Sequence, residues 1–90
     1  MGWKIEISRS ALKVLKRLDP QEAKRIRDFL RNLKELKDPR LKGKPLKGPL
    51  GEFWRYRVGD YRIICDIQDD RLVVLVLRIG HRREIYRFNS

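Results

Sequence analysis

Apolar and charged residues alternate in the first segment of the chain, Trp3–Ile7. A period of two is typical of a strand that buries one face. After Ser8 and Ser10, either of which fits a helix N-cap, the apolar residues recur three and four positions apart over Ala11–Leu18. The pattern therefore predicts a strand followed by a helix with one buried stripe.

A second helix is predicted to begin after Asp19, which fits the N-cap position. Pro20 fits the first helical position, and Glu22 completes an acidic variant of the capping box. The buried face collects apolar residues at helical spacing, namely Ile26, Phe29, Leu30, Leu33 and Leu36. The two helices are therefore predicted to form a hairpin.

Prolines and glycines interrupt the helical pattern over Lys37–Gly51. This interruption predicts a long basic loop without regular structure. Loops of this length are usually functional or mobile.

The second half of the chain is predicted to be a three-stranded antiparallel meander. The segments Phe53–Val58, Tyr61–Gln68 and Leu72–Ile79 are rich in aromatic and β-branched residues. Gly59-Asp60 and Asp69-Asp70 are two-residue turn candidates between them. The sequence therefore predicts a single α+β domain over residues 1–90. Its elements are an N-terminal strand, a helical hairpin and the meander, with the helices on one face of a mainly antiparallel sheet.

Composition narrows the kind of protein. Hydrophobic residues make up 41% of the 90 residues, which suffices for one compact core. No apolar run is long enough for a membrane span, and Lys4, Glu6 and Arg9 interrupt any signal-peptide core, so we expect a cytoplasmic protein with no membrane partner. One histidine and one cysteine provide too few ligands for a typical metal site, so we expect neither metal nor cofactor. Cys65 lies in an apolar run and is predicted to be a small buried residue.

Charge indicates the kind of partner. The chain has 23 Lys and Arg against 12 Asp and Glu, a net charge of +11. Solvation of the surface explains many charged residues, but it does not explain the excess of one sign. The excess favours polyanions, either nucleic acid or an acidic protein.

Three arginines are predicted to lie together around the first hairpin. Side chains alternate along a strand, so Tyr56 shares a face with Trp54 while Arg55 and Arg57 share the other. If Gly59-Asp60 closes a two-residue turn, Arg57 lies directly opposite Arg62. Like charges so placed repel, and an anion between them turns that repulsion into binding energy. We therefore predict an anion site in which Arg62 binds phosphate rather than holding the fold.

A second group of functional residues follows Gly80, which is predicted to end the last strand. The tail offers a histidine, several arginines and a tyrosine: proton-transfer groups, phosphate ligands and a ring for base stacking. The antiparallel meander returns the strand end to the level of Tyr61 and Arg62. We therefore expect Arg82 and Tyr86 to lie against the arginines of the hairpin.

These segments together resemble a known family. The chain carries Leu46-x-Gly48, then the segment Trp54–Arg62 with its Gly-Asp-Tyr-Arg motif, then Gly80–Arg87 with a Gly-His-Arg-Arg-x-x-Tyr-Arg pattern. This combination resembles the RelE/ParE superfamily of toxin–antitoxin toxins over essentially the whole chain. The central motif is shared by RelE-like and ParE-like members, whereas the tail resembles RelE-like nucleases.

The resemblance implies a ribosome-dependent endoribonuclease that cuts messenger RNA without metal. The 2′-hydroxyl attacks the adjacent phosphate and leaves a 2′,3′-cyclic phosphate and a 5′-hydroxyl. The implied catalytic residues are Arg55, Arg57, Arg62, Arg82 and Tyr86, and we add His81 as a candidate for proton transfer. Further RNA contacts are assigned to Lys42, Lys44, Lys47, Arg83 and Arg87.

The general base is not fixed by the resemblance. The RelE-like members whose general base is assigned to these strand positions carry lysines where this chain has Arg55 and Arg57. An arginine stays protonated at any working pH, so it is a poor base. Those arginines therefore stabilise charge on the phosphate. Proton transfer falls to His81, Tyr86 or Glu84.

The resemblance also implies partners and leaves alternative functions open. The expected partners are a cognate acidic antitoxin, the ribosome and messenger RNA, with operator DNA contacted only through the antitoxin. A ParE-like inhibitor of DNA gyrase and a non-catalytic module that binds nucleic acid or antitoxin are the alternatives. The His-Arg-x-x-x-Tyr cluster of the tail favours the nuclease, since a gyrase inhibitor has no need of it.

Overall fold

A computed structural model describes residues 2–46 and 53–84. In chain order its elements are β1 (Lys4–Ile7), α1 (Arg9–Arg17), α2 (Pro20–Leu33), a 3-10 helix (Pro39–Leu41), β2 (Lys44–Pro45), β3 (Trp54–Val58), β4 (Tyr61–Gln68) and β5 (Val73–His81). The described strands form one sheet in the order β1-β5-β4-β3-β2. The β1–β5 pair is parallel and the other pairs are antiparallel, which confirms the predicted α+β fold. No helix in the described ranges is long and apolar enough to cross a membrane.

The two helix starts differ in how they are capped. Ser8 is the N-cap of α1, and its hydroxyl accepts a hydrogen bond from the Ala11 amide at 3.1 Å. Asp19 and Pro20 occupy the predicted positions in α2, but the Asp19 carboxylate makes no capping bond. The predicted capping box is wrong, because the Glu22 carboxylate pairs with Arg25 in the next turn at 3.4 Å.

The core lies between the helical hairpin and one face of the sheet. Trp54, Tyr56 and Val58 all belong to it, which confirms the face predicted for β3. Tyr56 is fully buried, and its ring centroid lies 5.3 Å from that of Phe29 on α2. Cys65 is likewise fully buried, as predicted. The arginines of β3 and β4 therefore belong to the face away from the helices.

The segment predicted to be an irregular loop contains regular structure. It holds the 3-10 helix and the short strand β2, which pairs Lys44 with Arg55 and Pro45 with Trp54. The prediction was wrong because prolines and glycines permit both elements, and their partners lie far away in sequence. The loop is thereby held against the edge of β3.

The second turn and the end of β5 also differ from the prediction. Gln68 pairs with Val73, so the loop Asp69–Leu72 has four residues where two were expected, and Leu72 adopts a positive φ of 53°. An irregularity between Ile64 and Cys65 shifts the register again. Strand β5 also continues through Gly80, which was expected to end it, and stops at His81, because Gly80 and His81 still pair with Arg62 and Tyr61.

Gly43 and Gly59 both have positive φ, of 78° and 59° respectively. A Cβ on Gly43 would overlap the Arg55 carbonyl and the Trp54 and Tyr56 rings, whereas one on Gly59 would meet only the flexible end of Arg25. We expect Gly59→Ala to lower the free energy of unfolding by about 1–2 kcal/mol from backbone strain alone. Gly43→Ala should cost clearly more, as measured by urea denaturation. Equal losses would show that the close approach at Gly43 adds nothing.

Candidate functional site

The hairpin of β3 and β4 places two arginines directly opposite each other. Val58 pairs with Tyr61 across the Gly59-Asp60 turn, so Arg57 pairs with Arg62 as predicted. Arg57 is exposed, but only 7% of Arg62 is accessible. The two opposed arginines therefore differ in burial: Arg57 is exposed to solvent, whereas Arg62 is almost completely buried.

Arg62 is bound to the turn beside it. Its Nη1 donates to the carbonyls of Gly59 at 3.1 Å and Tyr61 at 3.0 Å. The expectation that Arg62 has no part in holding the fold is wrong, because the guanidinium folds back onto these carbonyls. Its Nε is buried and has no hydrogen-bond partner among the described residues, which is rare for a buried donor. The structure thus combines a turn-stabilising bond with an unsatisfied donor next to Arg57.

A cavity of about 310 Å³ lies where the basic loop meets β3. Four cationic side chains line it together with a glycine and two aromatic rings: Lys42, Lys44, Arg55, Arg57, Gly43, Phe29 and Tyr56. The Lys42 ammonium lies 5.7 Å from the centroid of the Phe29 ring, within cation–π range. We call this the basic cavity. Cationic walls beside the half-buried Phe29 ring suit a ligand that combines phosphate with a planar base, whereas the Tyr56 ring is fully buried and is not accessible for stacking.

Two side chains of β3 hold the loop that supplies Lys42 and Lys44. The Trp54 indole Nε1 donates to the Lys42 carbonyl at 2.6 Å, and the Tyr56 hydroxyl donates to the Pro39 carbonyl at 2.7 Å. Burial raises the pKa of the Tyr56 phenol well above its usual value, so the phenol stays protonated and keeps donating. Tyr56 therefore positions the loop and does not serve as a proton acceptor.

An ion pair fixes the start of the same loop to the β4–β5 turn. Arg40 donates two hydrogen bonds to the Asp69 carboxylate, at 2.9 and 2.8 Å. These bonds hold the pKa of Asp69 below its usual range. The Asp69 side chain is largely exposed and that of Arg40 is partly exposed, so the pair contributes more to geometry than to stability.

His81 is not brought to the arginines. It pairs with Tyr61, whose ring belongs to the helix side of the sheet, and the two rings meet edge to face at 5.7 Å. Its Nδ1 accepts a hydrogen bond from the Arg83 amide at 3.2 Å. Because β5 runs through Gly80, strand alternation turns the imidazole away from Arg57 and Arg62. The structure therefore separates His81 from the cavity, contrary to its predicted place in the site.

Arg82 lies at the same end of the sheet as the arginine pair. Its amide donates to the Asp60 carbonyl at 2.7 Å, and its Nε lies 3.9 Å from the Asp60 carboxylate. The predicted return of β5 to the level of Tyr61 is confirmed. Arg83 follows as an exposed residue. Three further predicted site residues lie outside the described ranges: Lys47, Tyr86 and Arg87.

Arg78 is a candidate site residue that the sequence analysis missed. It pairs with Ile64, which in turn pairs with Arg55, so Arg78 and Arg55 flank Ile64 on the face away from the helices. A two-residue turn would have set Arg78 opposite Tyr61, on the helix side. The longer turn and the irregularity after Ile64 move it to the face of the arginines. In the described ranges, no cluster of three or more His, Cys, Asp or Glu is placed to hold a metal ion.

Comparison with known proteins agrees with this architecture. The family model for the ParE toxin of the type II toxin–antitoxin system parDE matches residues 5–86. Toxin RelG of Mycobacterium tuberculosis is 39% identical over 51 residues, which are 57% of this chain and 59% of RelG. RelE1 of Methanocaldococcus jannaschii is 30% identical over 89 residues, covering 97% of this chain and 98% of RelE1.

A solved structure shows the same fold. The RelBE2 toxin–antitoxin complex of Mycobacterium tuberculosis contains a chain that superposes with a TM-score of 0.81 at 28% identity, covering 91% of this chain and 100% of the other. The helical hairpin on a five-stranded sheet is thus the fold of a toxin–antitoxin toxin. The chain belongs to the ParE toxin family of the RelE/ParE superfamily, on its RelE-like branch.

The buried position of Arg62 predicts a loss of stability on its removal. We expect Arg62→Ala to lower the free energy of unfolding by about 1–3 kcal/mol, because two hydrogen bonds from a charged donor are lost. Arg57→Ala is the matched control, since it removes the opposed charge from an exposed position. It should leave the free energy of unfolding unchanged or slightly raised in thermal denaturation. If Arg62→Ala and Arg57→Ala had the same free energy of unfolding, Arg62 would not stabilise the turn.

Proposed function

We propose that this toxin is an endoribonuclease that cuts messenger RNA on the translating ribosome without a metal ion. The observation that carries the proposal is the convergence of Lys42, Lys44, Arg55 and Arg57 on the basic cavity, beside the Arg57–Arg62 pair. Five cations in one region suit a phosphodiester better than a neutral ligand. The RelE-like resemblance supplies the reaction.

In the proposed reaction, the 2′-hydroxyl of the bound nucleotide forms a bond to the adjacent phosphorus while the bond to the 5′-oxygen breaks. The hydroxyl proton passes to a general base, and a proton returns to the leaving 5′-oxygen. Negative charge builds on the phosphoryl oxygens, where the guanidiniums of Arg55 and Arg57 stabilise it. Arg62, which is buried next to the Gly59-Asp60 turn, adds to the positive electrostatic potential at the phosphate. Lys42 and Lys44 bind the neighbouring phosphates of the RNA backbone.

His81 is no longer our candidate for the general base, because its ring lies on the helix side of the sheet. We assign to Tyr86 both base stacking and proton transfer, following the RelE-like tail pattern. Arg82, which is held at the Asp60 end of the hairpin, is assigned to the phosphate. Arg83, Arg87 and Lys47 are proposed as further RNA contacts.

The proposed partners follow from charge and from the relatives. One of the structural neighbours is a toxin bound to its antitoxin. We propose that this chain likewise binds a cognate acidic antitoxin, and that operator DNA is reached only through that antitoxin. We also propose a cytoplasmic location, where ribosomes are found.

A second candidate function is the inhibition of DNA gyrase. It is favoured by the match to the ParE toxin model over residues 5–86 and by the separation of His81 from the basic cavity. A gyrase inhibitor acts by protein contact and requires no RNA chemistry. The two candidate functions differ in their target: the nuclease cuts messenger RNA, whereas the gyrase inhibitor acts on DNA gyrase.

The first activity test uses purified toxin in a cell-free translation reaction, with primer extension on the message. We expect cuts in translated message, and an Arg57→Ala variant should cut about 100-fold more slowly because it lacks a preorganised cation. Lys13→Ala, a charge change on the exposed face of α1, is the control and should cut normally. Intact message together with loss of gyrase supercoiling activity would instead support the second candidate.

Substitutions of Tyr86 separate stacking from proton transfer. Tyr86→Phe keeps the ring and loses the hydroxyl, whereas Tyr86→Ala loses both. If Tyr86 is the base, both variants should lose at least about 100-fold in cleavage rate in the same assay. A mild defect in Phe with a large one in Ala would limit Tyr86 to stacking. Full activity in both variants would remove the tail from the active site.

A further inference from the structure

One extra residue in β5 brings Arg78 to the face of the sheet away from the helices, which we call the arginine face. Ile64 pairs with Arg78, although the next residue of β4 pairs with Val76, so Leu77 forms a β-bulge. Continuous pairing would set Arg78 opposite Ile63, in the core. A bulge changes the direction of the side chains in its strand, and this one turns Arg78 outwards, where it is exposed.

The bulge is tied to the start of α1. The Ser8 hydroxyl donates to the Leu77 carbonyl at 2.9 Å, while its oxygen accepts a hydrogen bond from the Ala11 amide as the N-cap. The Ser10 hydroxyl lies 3.4 Å from the same carbonyl. A backbone group that leaves the strand ladder thus keeps hydrogen-bond partners. The position of Arg78 is therefore fixed by contacts with α1 as well as by strand pairing.

Gly80 lies directly opposite Arg62, inside β5. In the described ranges, the glycines with positive φ are Gly43 and Gly59, so the backbone conformation at Gly80 does not require a glycine. A glycine inside a strand often marks a place where a ligand approaches the backbone closely. Directly paired residues share a face of the sheet, so the position without a side chain is on the arginine face, beside Arg62.

Arg78 and Arg82 flank Gly80 along the chain, two residues to either side. Each is about 6.6 Å from Gly80 along the strand direction, a distance that an extended arginine side chain spans. The Arg82 amide donates to the Asp60 carbonyl at 2.7 Å, so the strand ladder continues to this residue. Both arginine side chains are exposed. Together with Arg62, three arginines therefore border Gly80.

Acidic groups offset only part of this positive charge. The Asp60 carboxylate lies 3.9 Å from the Arg82 Nε. Asp66 is also on the arginine face, but it lies four residues along β4 from Arg62, about 13 Å, and accepts a hydrogen bond from Gln68. An anion among the three arginines thus meets a surplus of positive charge, and the guanidinium fork matches the oxygens of a phosphate.

We propose that Arg78 binds a second RNA phosphate above Gly80, next to the phosphate that is cut and on the side away from the basic cavity. In the proposed function, on which this inference rests, the reacting phosphate lies at the Arg57–Arg62 pair. Gly80 is one strand spacing further, about 4.8 Å. A single RNA strand that crosses β3, β4 and β5 therefore presents consecutive phosphates to the two places. The missing side chain at Gly80 lets the RNA backbone lie close to the sheet.

The first test compares two oligonucleotides whose 2′-hydroxyls are all methylated, so that they cannot be cut. The trinucleotide has two phosphates between its nucleosides, and the dinucleotide has one. In NMR titrations of the ¹⁵N-labelled full chain, we expect Arg78→Ala to weaken trinucleotide binding at least about 5-fold and dinucleotide binding less than about 2-fold. Gly80→Ala leaves the charge unchanged and should weaken trinucleotide binding in the same way.

Salt dependence separates a phosphate contact from a change of net charge. With a methylated strand of twelve nucleotides, Arg78→Ala should reduce the slope of log K against log salt concentration by about 0.7, the value for one phosphate of a single strand. Arg78→Lys should restore the slope. Arg71→Ala is the matched control, since it removes the same charge from an exposed position in the β4–β5 turn and should leave the slope unchanged.

The outcomes distinguish this site from the proposed nuclease activity. Equal effects of Arg78→Ala and Arg71→Ala, or equal losses for the two oligonucleotides, would overturn the second phosphate site. So would a wild-type chain that binds neither oligonucleotide. The expected trinucleotide effect in a toxin that leaves translated message intact would refute the nuclease and keep the phosphate site. Cleavage of message without any trinucleotide effect would do the reverse.

Discussion

The pairing of β3 with β4 across the Gly59-Asp60 turn is the constraint on which the rest of the structure depends. It fixes which side chains of both strands face the helices and which face away. Tyr56 enters the core against Phe29, and the same alternation turns Arg55 and Arg57 outwards. A slip of one residue would bury the arginines and expose the rings, so the register that stabilises the core also assembles the cations.

The aromatic residues of β3 link this core to the basic cavity. Tyr56 packs in the core with its ring, yet its hydroxyl reaches the Pro39 carbonyl, and the Trp54 indole reaches the Lys42 carbonyl. Each bond ties a polar tip of a core side chain to the loop. The placement of Lys42 and Lys44 is therefore determined by core packing, and the glycine at position 43 lets the loop approach β3 closely.

Local sequence patterns were sufficient for the helices and the first hairpin. The helical spacing of apolar residues and the Gly59-Asp60 turn are signals carried within a few residues, and both predictions were confirmed. The position of β5 depended on less visible features. Leu72 holds a positive φ that is uncommon for its residue type, and the irregularity after Ile64 shifts pairing by one residue. These two features together determined the faces of Arg78 and His81, which the sequence did not predict.

Cationic side chains collect at both edges of the described sheet, but their surroundings differ. Excess positive charge of +11 destabilises a compact chain through self-repulsion, and bound anions offset that repulsion. Near the β2 edge, exposed Arg57 lies opposite covered Arg62, whose Nε has no hydrogen-bond partner in the described ranges, and we propose that an anion completes this arrangement. At the β1 edge, by contrast, the cations of α2 border the apolar residues of the groove between β1 and α2. Four strand spacings, about 19 Å, separate the two edges, so the positive charge is spread across the sheet and not concentrated at one site.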